Sequence, residues 1–198
     1  MLDLGCGYGE YLVMFGKDSL GVTTTLEEVE YGKQNSIRTV RGNVEELDKV
    51  TELQTERFEG IWSNNLFEHL LAPHRFLNSL KRYANDDALL VLGVPVVPAI
   101  PSLMNIRKFR GALAVSHINF FTRKTLQLTV ERSGWEVLRI RPFIFSARWL
   151  DALAGLVAPH MYVVARNEAS FKYTDKKLKE WKDESYYKYV LETTHQAN

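Results

Sequence analysis

The first ten residues, Met-Leu-Asp-Leu-Gly-Cys-Gly-Tyr-Gly-Glu, place a short apolar run directly before three alternating glycines. Glycine adopts positive φ freely and lets the backbone pass close to a ligand, because it has no Cβ atom. An apolar helical pattern starts near Glu10, so the segment predicts a strand, a tight loop and a helix whose free N–H groups face the loop. Asp3 is then a carboxylate at the end of a buried strand, which is costly unless a polar partner needs it.

Two other interpretations of this segment stay open. One is an ordinary strand-to-helix turn. The other is a dinucleotide site, although the G-x-G-x-G spacing differs from the G-x-G-x-x-G pattern typical of nicotinamide-dependent enzymes. Met1 already lies inside the predicted strand, which leaves about four residues for it against a usual five or six. We therefore expect that N-terminal helices of the domain are missing from this chain.

Length, charge and cysteine content exclude several classes of protein. The chain has 198 residues, which predicts one domain with a sizeable core. Its formal net charge of +1 offers no broad electrostatic footprint, so we expect no nucleic-acid partner. Cys6 is the single cysteine, which excludes an internal disulfide. Because we find neither a signal peptide nor an apolar run of transmembrane length, we expect a cytoplasmic protein.

Strand and helix patterns alternate through the first half of the chain. Apolar extended runs predict strands at 20–23, 38–41, 58–63 and 88–95. Helical patterns predict helices at 10–15, 26–35, 44–53 and 73–83, with a turn at 85–87. This alternation implies right-handed crossovers and a parallel sheet.

The second half departs from this alternation. Residues 96–116 are rich in proline and then basic, and they predict a cap over the carboxyl edge of the sheet. A helix at 123–133 and strands at 135–141 and 160–165 follow, and they suit a closing antiparallel edge. The domain then spans residues 1–168, with the cap and an apolar, helical insertion at 142–158, and a charged helical tail spans 169–198. The insertion meets either a second subunit or a membrane surface, and the insertion or the tail would form the contact in a homodimer.

Polar residues follow the predicted strands, and the carboxyl ends of parallel strands lie at one edge of a sheet, where ligands bind. The glycines follow the first strand. The other polar residues in such positions are Thr23, Thr24, Thr25, Asn43, Ser63, Asn64, Asn65, Glu68 and His69. Residues that served only the fold would not need to place so many polar side chains at one edge of the sheet.

Several motifs together resemble the class I S-adenosylmethionine-dependent methyltransferases. The residues from Leu2 to Gly9 resemble the first motif of that family, and those from Phe58 to Leu70 resemble its fourth, with the Glu-His-Leu of one large subgroup. His117 to Thr122 resembles a later signature of the same subgroup. The resemblance implies a Rossmann-like three-layer α/β/α sandwich. Its seven-stranded, mostly parallel sheet has the order 3-2-1-4-5-7-6, with strand 7 antiparallel.

The resemblance also implies S-adenosylmethionine as cofactor, S-adenosylhomocysteine as product, and a set of binding residues. Asp3 and the loop residues Gly5, Cys6, Gly7 and Gly9 would lie against the methionine and ribose portions. The remaining expected cofactor contacts are Thr23 and Thr24 near the ribose, Asn43 and Val44 near the adenine, and Asn64 and Asn65 near the methionine.

The end of the second strand departs from the family pattern. The family usually has an acid there, and this chain has Thr23, whose hydroxyl makes one hydrogen bond but no charge-assisted pair. Glu27 or Glu28 would replace that acid, unless both serve only the helix dipole. Because the acid is replaced and the start is short, a non-catalytic or weakly binding protein of this fold is the alternative to an enzyme.

Histidines supply the candidate catalytic groups. Methyl transfer to an alcohol requires removal of a proton, and His69 and His117 are the two candidate bases. The spacing of His74, His160 and His195 matches no metal motif, so we predict no metal. The predicted function is methyl transfer to a small molecule or to a lipid or glycan precursor, preferably at an oxygen.

Overall fold

A twisted, mostly parallel sheet organises residues 1–181, which are the residues that this computed structural model describes. The strands in chain order are β1 (Leu2–Leu4), β2 (Leu20–Thr23), β3 (Thr39–Arg41), β4 (Phe58–Asn64), β5 (Ala84–Val97), β6 (Phe121–Thr122), β7 (Trp135–Arg141) and β8 (His160–Asn167).

The strand order confirms the expected topology. The sheet runs β3-β2-β1-β4-β5-β8-β7, and the two-residue β6 pairs in parallel with the far end of β5. Strand β8 is antiparallel to both β5 and β7, and the pairs among β1 to β5 are parallel. When the short β6 is set aside, this is the predicted order 3-2-1-4-5-7-6 with an antiparallel seventh strand.

Helices lie on both faces of the sheet. They are α1 (Leu12–Phe15), α2 (Leu26–Gln34), α3 (Pro73–Leu80), α4 (Arg123–Glu131), α5 (Arg148–Ala154) and α6 (Asp175–Trp181). Thr122 and Thr125 form a reciprocal capping box at the start of α4. The charged tail is helical in α6, and the rest of its predicted helix, from 182 onward, lies outside the described residues.

The helix predicted at 44–53 is instead two 3₁₀ segments, Val44–Lys49 and Thr51–Leu53. Its buried apolar residues recur every third position, at Val44, Leu47, Val50 and Leu53. A repeat of three matches the 3₁₀ helix, which has three residues per turn, better than the α-helix. The apolar spacing therefore explains the tighter winding.

The apolar insertion is also less helical than predicted. Its α-helix covers only Arg148–Ala154, and Phe143 before it has a φ of 54°. The buried carboxylate of Asp151 accepts hydrogen bonds from the backbone N–H groups of Ile144 (2.7 Å) and Phe145 (3.1 Å). These bonds hold the preceding segment in an irregular loop. The predicted turn at 85–87 is likewise a bulge inside β5, where the register with β4 shifts.

The two faces of the sheet differ in their covering. One face carries Leu2, Leu20 and Ile61 in register, all fully buried in the core that also includes the apolar side chains of α3 and α4. On that side the fully buried Trp135 donates its indole N–H to the carbonyl of Leu77 (2.9 Å).

The opposite face carries Asp3 and Trp62 in register. Helix α1 lies there, since Leu12 packs over Gly21, the partner of Asp3 on β2. The same face also includes Leu89, which is 41% exposed, and the half-buried Val91. This second face is therefore only partly covered. Among residues 1–181, no helix combines the length and the apolar character needed to cross a membrane.

Candidate functional site

The glycine loop after β1 has the geometry that its sequence predicts. Gly5, Gly7 and Gly9 have φ values of 75°, 53° and 82°, in the region that favours glycine. The N–H groups of Gly5 and Cys6 both donate to the carbonyl of Val22, at 2.9 and 3.2 Å. The loop therefore folds back on the end of β2 and turns sharply towards α1.

This loop lines a cavity of about 260 Å³ at the carboxyl end of β1. The cavity is lined by Asp3, Gly5, Cys6, Gly7, Tyr8, Glu10, Tyr11, Trp62 and Asn64. The cavity thus combines the predicted loop with side chains from the ends of two neighbouring parallel strands. It lies at the edge where open α/β sheets bind their ligands.

Two polar side chains in the cavity wall need a partner. Asp3 is 1% exposed, and its Oδ2 atom has no hydrogen-bond partner within residues 1–181. Its burial raises the pKa of the carboxyl group to about 7. The buried Oδ1 atom of Asn64 also lacks a donor in this part of the chain, and the Asn64 amide reaches the Tyr11 hydroxyl at 3.4 Å. Orphaned polar atoms beside a glycine-rich loop fit a polar ligand such as the expected nucleoside cofactor.

Cys6 serves the shape of the loop. Burial, with the nearby Asp3 and Glu28 carboxylates, raises the pKa of its thiol to about 12. A thiol that holds its proton so firmly is a poor nucleophile. Cys6 is therefore a small, buried residue that fills a tight turn.

An acid of α2 lies beside the end of β2. The hydroxyl of Thr23 donates to the carboxylate of Glu28, in the first turn of the helix. A Cβ atom placed on Gly7 would lie 3.9 Å from the same carboxylate, so Glu28 faces the glycine loop. Glu27 accepts from the hydroxyl of Tyr8, a residue of the same loop, at 3.1 Å on its exposed side. Of the two acids that the sequence offered, Glu28 is the one whose carboxylate faces the backbone of Gly7.

The other expected cofactor contacts lie outside the lining of the cavity, and Gly9 and Thr23 are among them. Thr24 is exposed, and its carbonyl accepts from the Arg41 side chain at 3.1 Å. Asn43 caps the first 3₁₀ segment by accepting from the Glu45 N–H at 3.0 Å, and Val44 is buried in the core. Asn65 has a φ of 52°, and its side chain meets His160 at 3.0 Å.

Sequence reasoning missed two aromatic residues of the site. The rings of Tyr11 and Trp62 are 4.9 Å apart, and both line the cavity. The strand register carried the signal for Trp62, because Trp62 is the partner of Asp3 on β4 and shares its face. The signal for Tyr11 was its position at the N-cap of α1, two residues after the last glycine of the loop.

A second polar cluster lies beyond the end of β4. Glu68 is 1% exposed, and its Oε1 lies 3.8 Å from Nε2 of His69 and 3.7 Å from Nε2 of His117. The two imidazole rings are 4.7 Å apart and nearly perpendicular. The structure thus brings together the two predicted catalytic histidines, which lie far apart in the sequence. Burial raises the pKa of the Glu68 carboxyl group above its usual value, and the two histidines offset this effect only in part.

Comparison with known proteins agrees with this architecture. The sequence model of a family described as "methyltransferase domain" matches residues 1–140. The chain is also 32% identical over 98 residues to (S)-coclaurine N-methyltransferase of Papaver somniferum. That match covers 46% of this chain and only 28% of the relative.

Solved structures share the fold at low identity. A S-adenosylmethionine-dependent methyltransferase from Mesorhizobium loti matches with a TM-score of 0.62 at 18% identity, covering 84% of this chain and 89% of that one. A second from Archaeoglobus fulgidus matches with a TM-score of 0.58 at 17% identity, covering 84% and 85%. Similarity at this level establishes the fold, and the chemistry has to be argued from the site.

Proposed function

Because this chain belongs to the methyltransferase-domain family, whose class I members use S-adenosylmethionine, we propose that it methylates an oxygen of a small-molecule or lipid- or glycan-precursor acceptor. When bound, the cofactor supplies an electrophilic methyl group on a sulfonium sulfur and leaves as S-adenosylhomocysteine. The observation that carries the proposal is the cavity in which the glycine loop meets the orphaned polar atoms of Asp3 and Asn64.

The residues proposed to hold the cofactor surround this cavity. The backbone of Gly5 and Gly7 would pass close to the methionine and ribose portions, and Asp3 and Asn64 would bind its polar groups. Glu28, held by Thr23 against the loop, is proposed to accept hydrogen bonds from the ribose hydroxyls. Charge-assisted bonds of this kind are about twice as strong as neutral ones.

The preference for an oxygen acceptor rests on His69 and His117. An alcohol, unlike a neutral amine, must lose its proton for transfer to proceed well, so it benefits from a positioned base. Each histidine has its Nδ1 beside a backbone carbonyl, which leaves Nε2 free to accept a proton, and the Glu68 carboxylate lies next to both Nε2 atoms. That carboxylate would stabilise the imidazolium that forms.

The preference for an amphipathic acceptor rests on the cap and the insertion. The cap has three basic residues, Arg107, Lys108 and Arg110, and no acidic one. The large exposed apolar side chains of these two segments are Ile100, Ile106, Leu113, Val115, Phe143, Ile144, Phe145, Trp149, Leu153, Leu156 and Val157. A surface both apolar and cationic suits an anionic lipid or lipid-linked precursor.

Calorimetric titration with S-adenosylhomocysteine tests cofactor binding. We expect one site per chain, together with a change in tryptophan emission on binding. A Trp62→Phe variant should lose this change and a Trp149→Phe variant should keep it, because Trp62 lines the cavity and Trp149 does not. NADH is the control ligand and should not bind. Neither heat nor emission change with S-adenosylhomocysteine would favour the non-catalytic alternative.

Transfer of a radioactive methyl group tests the acceptor. We expect labelled product from hydroxylated lipid or glycan precursors, and we expect His117→Gln to slow this transfer while cofactor binding is kept. Labelling of amines alone, as the name of the Papaver somniferum relative suggests for that protein, would overturn the assignment of an oxygen acceptor.

A further inference from the structure

We propose that Glu68, His69 and His117 bind a divalent transition-metal ion. Their potential ligand atoms all lie within 4.8 Å of one another. Glu68 and His69 come from the 3₁₀ turn after β4, and His117 comes from the end of the cap. The spacing in sequence matches no familiar metal motif, so only the fold reveals the cluster.

The backbone fixes the two segments to each other. The N–H groups of Ile118 and Asn119 both donate to the carbonyl of Glu68, at 3.1 and 3.0 Å. The Asn119 amide also donates to the carbonyl of Leu70 at 2.6 Å. The histidine of one segment is thereby held beside the carboxylate of the other, which is the rigidity that a binding site needs.

The tautomers of both histidines follow from their partners. Nδ1 of His69 lies 3.0 Å from the carbonyl of Ser116, and Nδ1 of His117 lies 3.3 Å from that of Ala112. A carbonyl oxygen only accepts, so each Nδ1 carries the proton and each Nε2 presents a lone pair. Metal-ligating histidines show this arrangement, in which the second ring nitrogen donates to a carbonyl or carboxylate.

Glu68 is the independent sign of a missing partner. Both of its carboxylate oxygens are buried and have no hydrogen-bond partner within residues 1–181. A buried carboxylate without compensating hydrogen bonds is costly, and buried charges are normally paired or bound to metal. The nearest cationic candidates are His69 and His117, whose Nε2 atoms lie too far away for hydrogen bonds, at 3.8 and 3.7 Å.

These distances leave room for an ion between the three side chains. Zinc binds imidazole nitrogen and carboxylate oxygen at about 2.0–2.2 Å, so two of its ligand atoms lie up to roughly 4 Å apart. Two imidazoles and one carboxylate favour zinc, manganese, iron or cobalt over calcium and magnesium, which prefer oxygen ligands. His69 is 36% exposed and His117 11% exposed, so the open side of the ion would face solvent on the side of His69.

The proposal of a metal site is argued from this ligand geometry and does not depend on the proposed function. The role of the ion does rest on the proposed function: the ion would hold the acceptor oxygen and lower the pKa of the proton on that oxygen. The ion would then take the place of a histidine base, and His69 and His117 would act as its ligands.

The test is titration of purified, tag-free protein with Zn²⁺ by calorimetry and with Co²⁺ by visible absorption. We expect about one ion per chain, and we expect His117→Gln to weaken binding more than the 10- to 100-fold typical of an outer-shell change. Glu68→Gln should do the same. His160→Gln, which changes a histidine outside the cluster, is the matched control and should bind like the parent.

If metal binding is absent, or survives His117→Gln and His69→Gln alike, the proposal is overturned. Thermal unfolding of each variant without metal separates loss of a ligand from loss of the fold. Binding of S-adenosylhomocysteine is measured on the same samples. A protein that binds this nucleoside but no metal refutes the metal site alone, and one that binds neither refutes the proposed function as well.

Discussion

The hydroxyl of Thr23 donates a hydrogen bond to the carboxylate of Glu28, and this pair joins the end of β2 to the first turn of α2. Relatives of the family usually carry the acid on the strand itself. Here the strand ends in a hydroxyl, and the acid comes from the helix one turn later. A carboxylate therefore lies beside the glycine loop, but it belongs to α2 and not to the end of β2.

Glu28→Gln should weaken binding of S-adenosylhomocysteine about tenfold, because the loss of one charged hydrogen-bond acceptor costs about 1.5 kcal/mol or more. Glu27→Gln is the matched control. Both acids lie in the first turn of α2 and contribute equally to its dipole, but Glu27 binds Tyr8 at the surface. Calorimetry on both variants measures the difference, and equal losses would refute the role of Glu28.

Gly7→Ala should impair cofactor binding more than stability. Its φ of 53° is in the left-handed region, which costs an alanine roughly 1–2 kcal/mol. The new methyl group would project between the loop and Glu28, into the proposed ribose position. We expect at least a tenfold loss of affinity with a fall in melting temperature of only a few degrees. Gly111→Ala, whose Cβ meets nothing within 4 Å, should leave both quantities unchanged.

The stability of the protein should depend on pH through Asp3. Its pKa is about 7 in the folded chain against 3.8 for the free side chain, so the folded state binds more protons between these values. Stability attributable to Asp3 is therefore greatest below pH 3.8 and is lost as the pH rises towards 7. Relative to Asp3→Asn, the parent should lose about 2–4 kcal/mol across this interval.

Urea unfolding of the parent and of Asp3→Asn, each at pH 5 and pH 7.5, isolates this contribution from that of other buried groups such as Glu68. Parallel pH profiles for the two proteins would show that Asp3 titrates normally. Since the ionised carboxylate suits a cationic ligand, S-adenosylmethionine should also bind more tightly above pH 7 than below it.

Trp135→Phe should destabilise the fold by about 2–3 kcal/mol. The change removes the hydrogen bond to the Leu77 carbonyl and leaves a small cavity in a fully buried position. Trp149→Phe, at a position that is 66% exposed, should change stability by no more than about 0.5 kcal/mol. Denaturant midpoints measure the stability of both variants. Cofactor affinity, measured without denaturant, should be equal in the two variants.

The alternation of apolar runs was sufficient to predict a parallel sheet, because each strand and helix carries its own period and the crossovers are right-handed. The order of the strands came from the resemblance to the methyltransferase family. Local winding was harder to predict. The three-residue spacing of Val44, Leu47 and Val50 indicates a 3₁₀ segment only when burial is known. The irregular start of the insertion depends on Asp151, whose backbone partners become evident only in the folded chain.

The parts of the site that lie at the carboxyl ends of strands could be predicted from the sequence. The glycine loop, Asp3 and Asn64 meet in one cavity as expected. The selection of Glu28 over Glu27 depends on the angle at which α2 leaves Thr23, which no residue pattern encodes. The meeting of His69 with His117 depends on hydrogen bonds from the cap to the Glu68 backbone, across a long stretch of chain.

Trp62 belongs to two surfaces at once. Its indole ring walls the cavity beside Tyr11, and it also stacks at 5.9 Å on Tyr162, towards the half-covered side of the sheet. A contact on that outer side would therefore act on the same indole ring that forms part of the cavity wall. Binding in the cavity and contact with the exposed side of the sheet would then influence each other through Trp62.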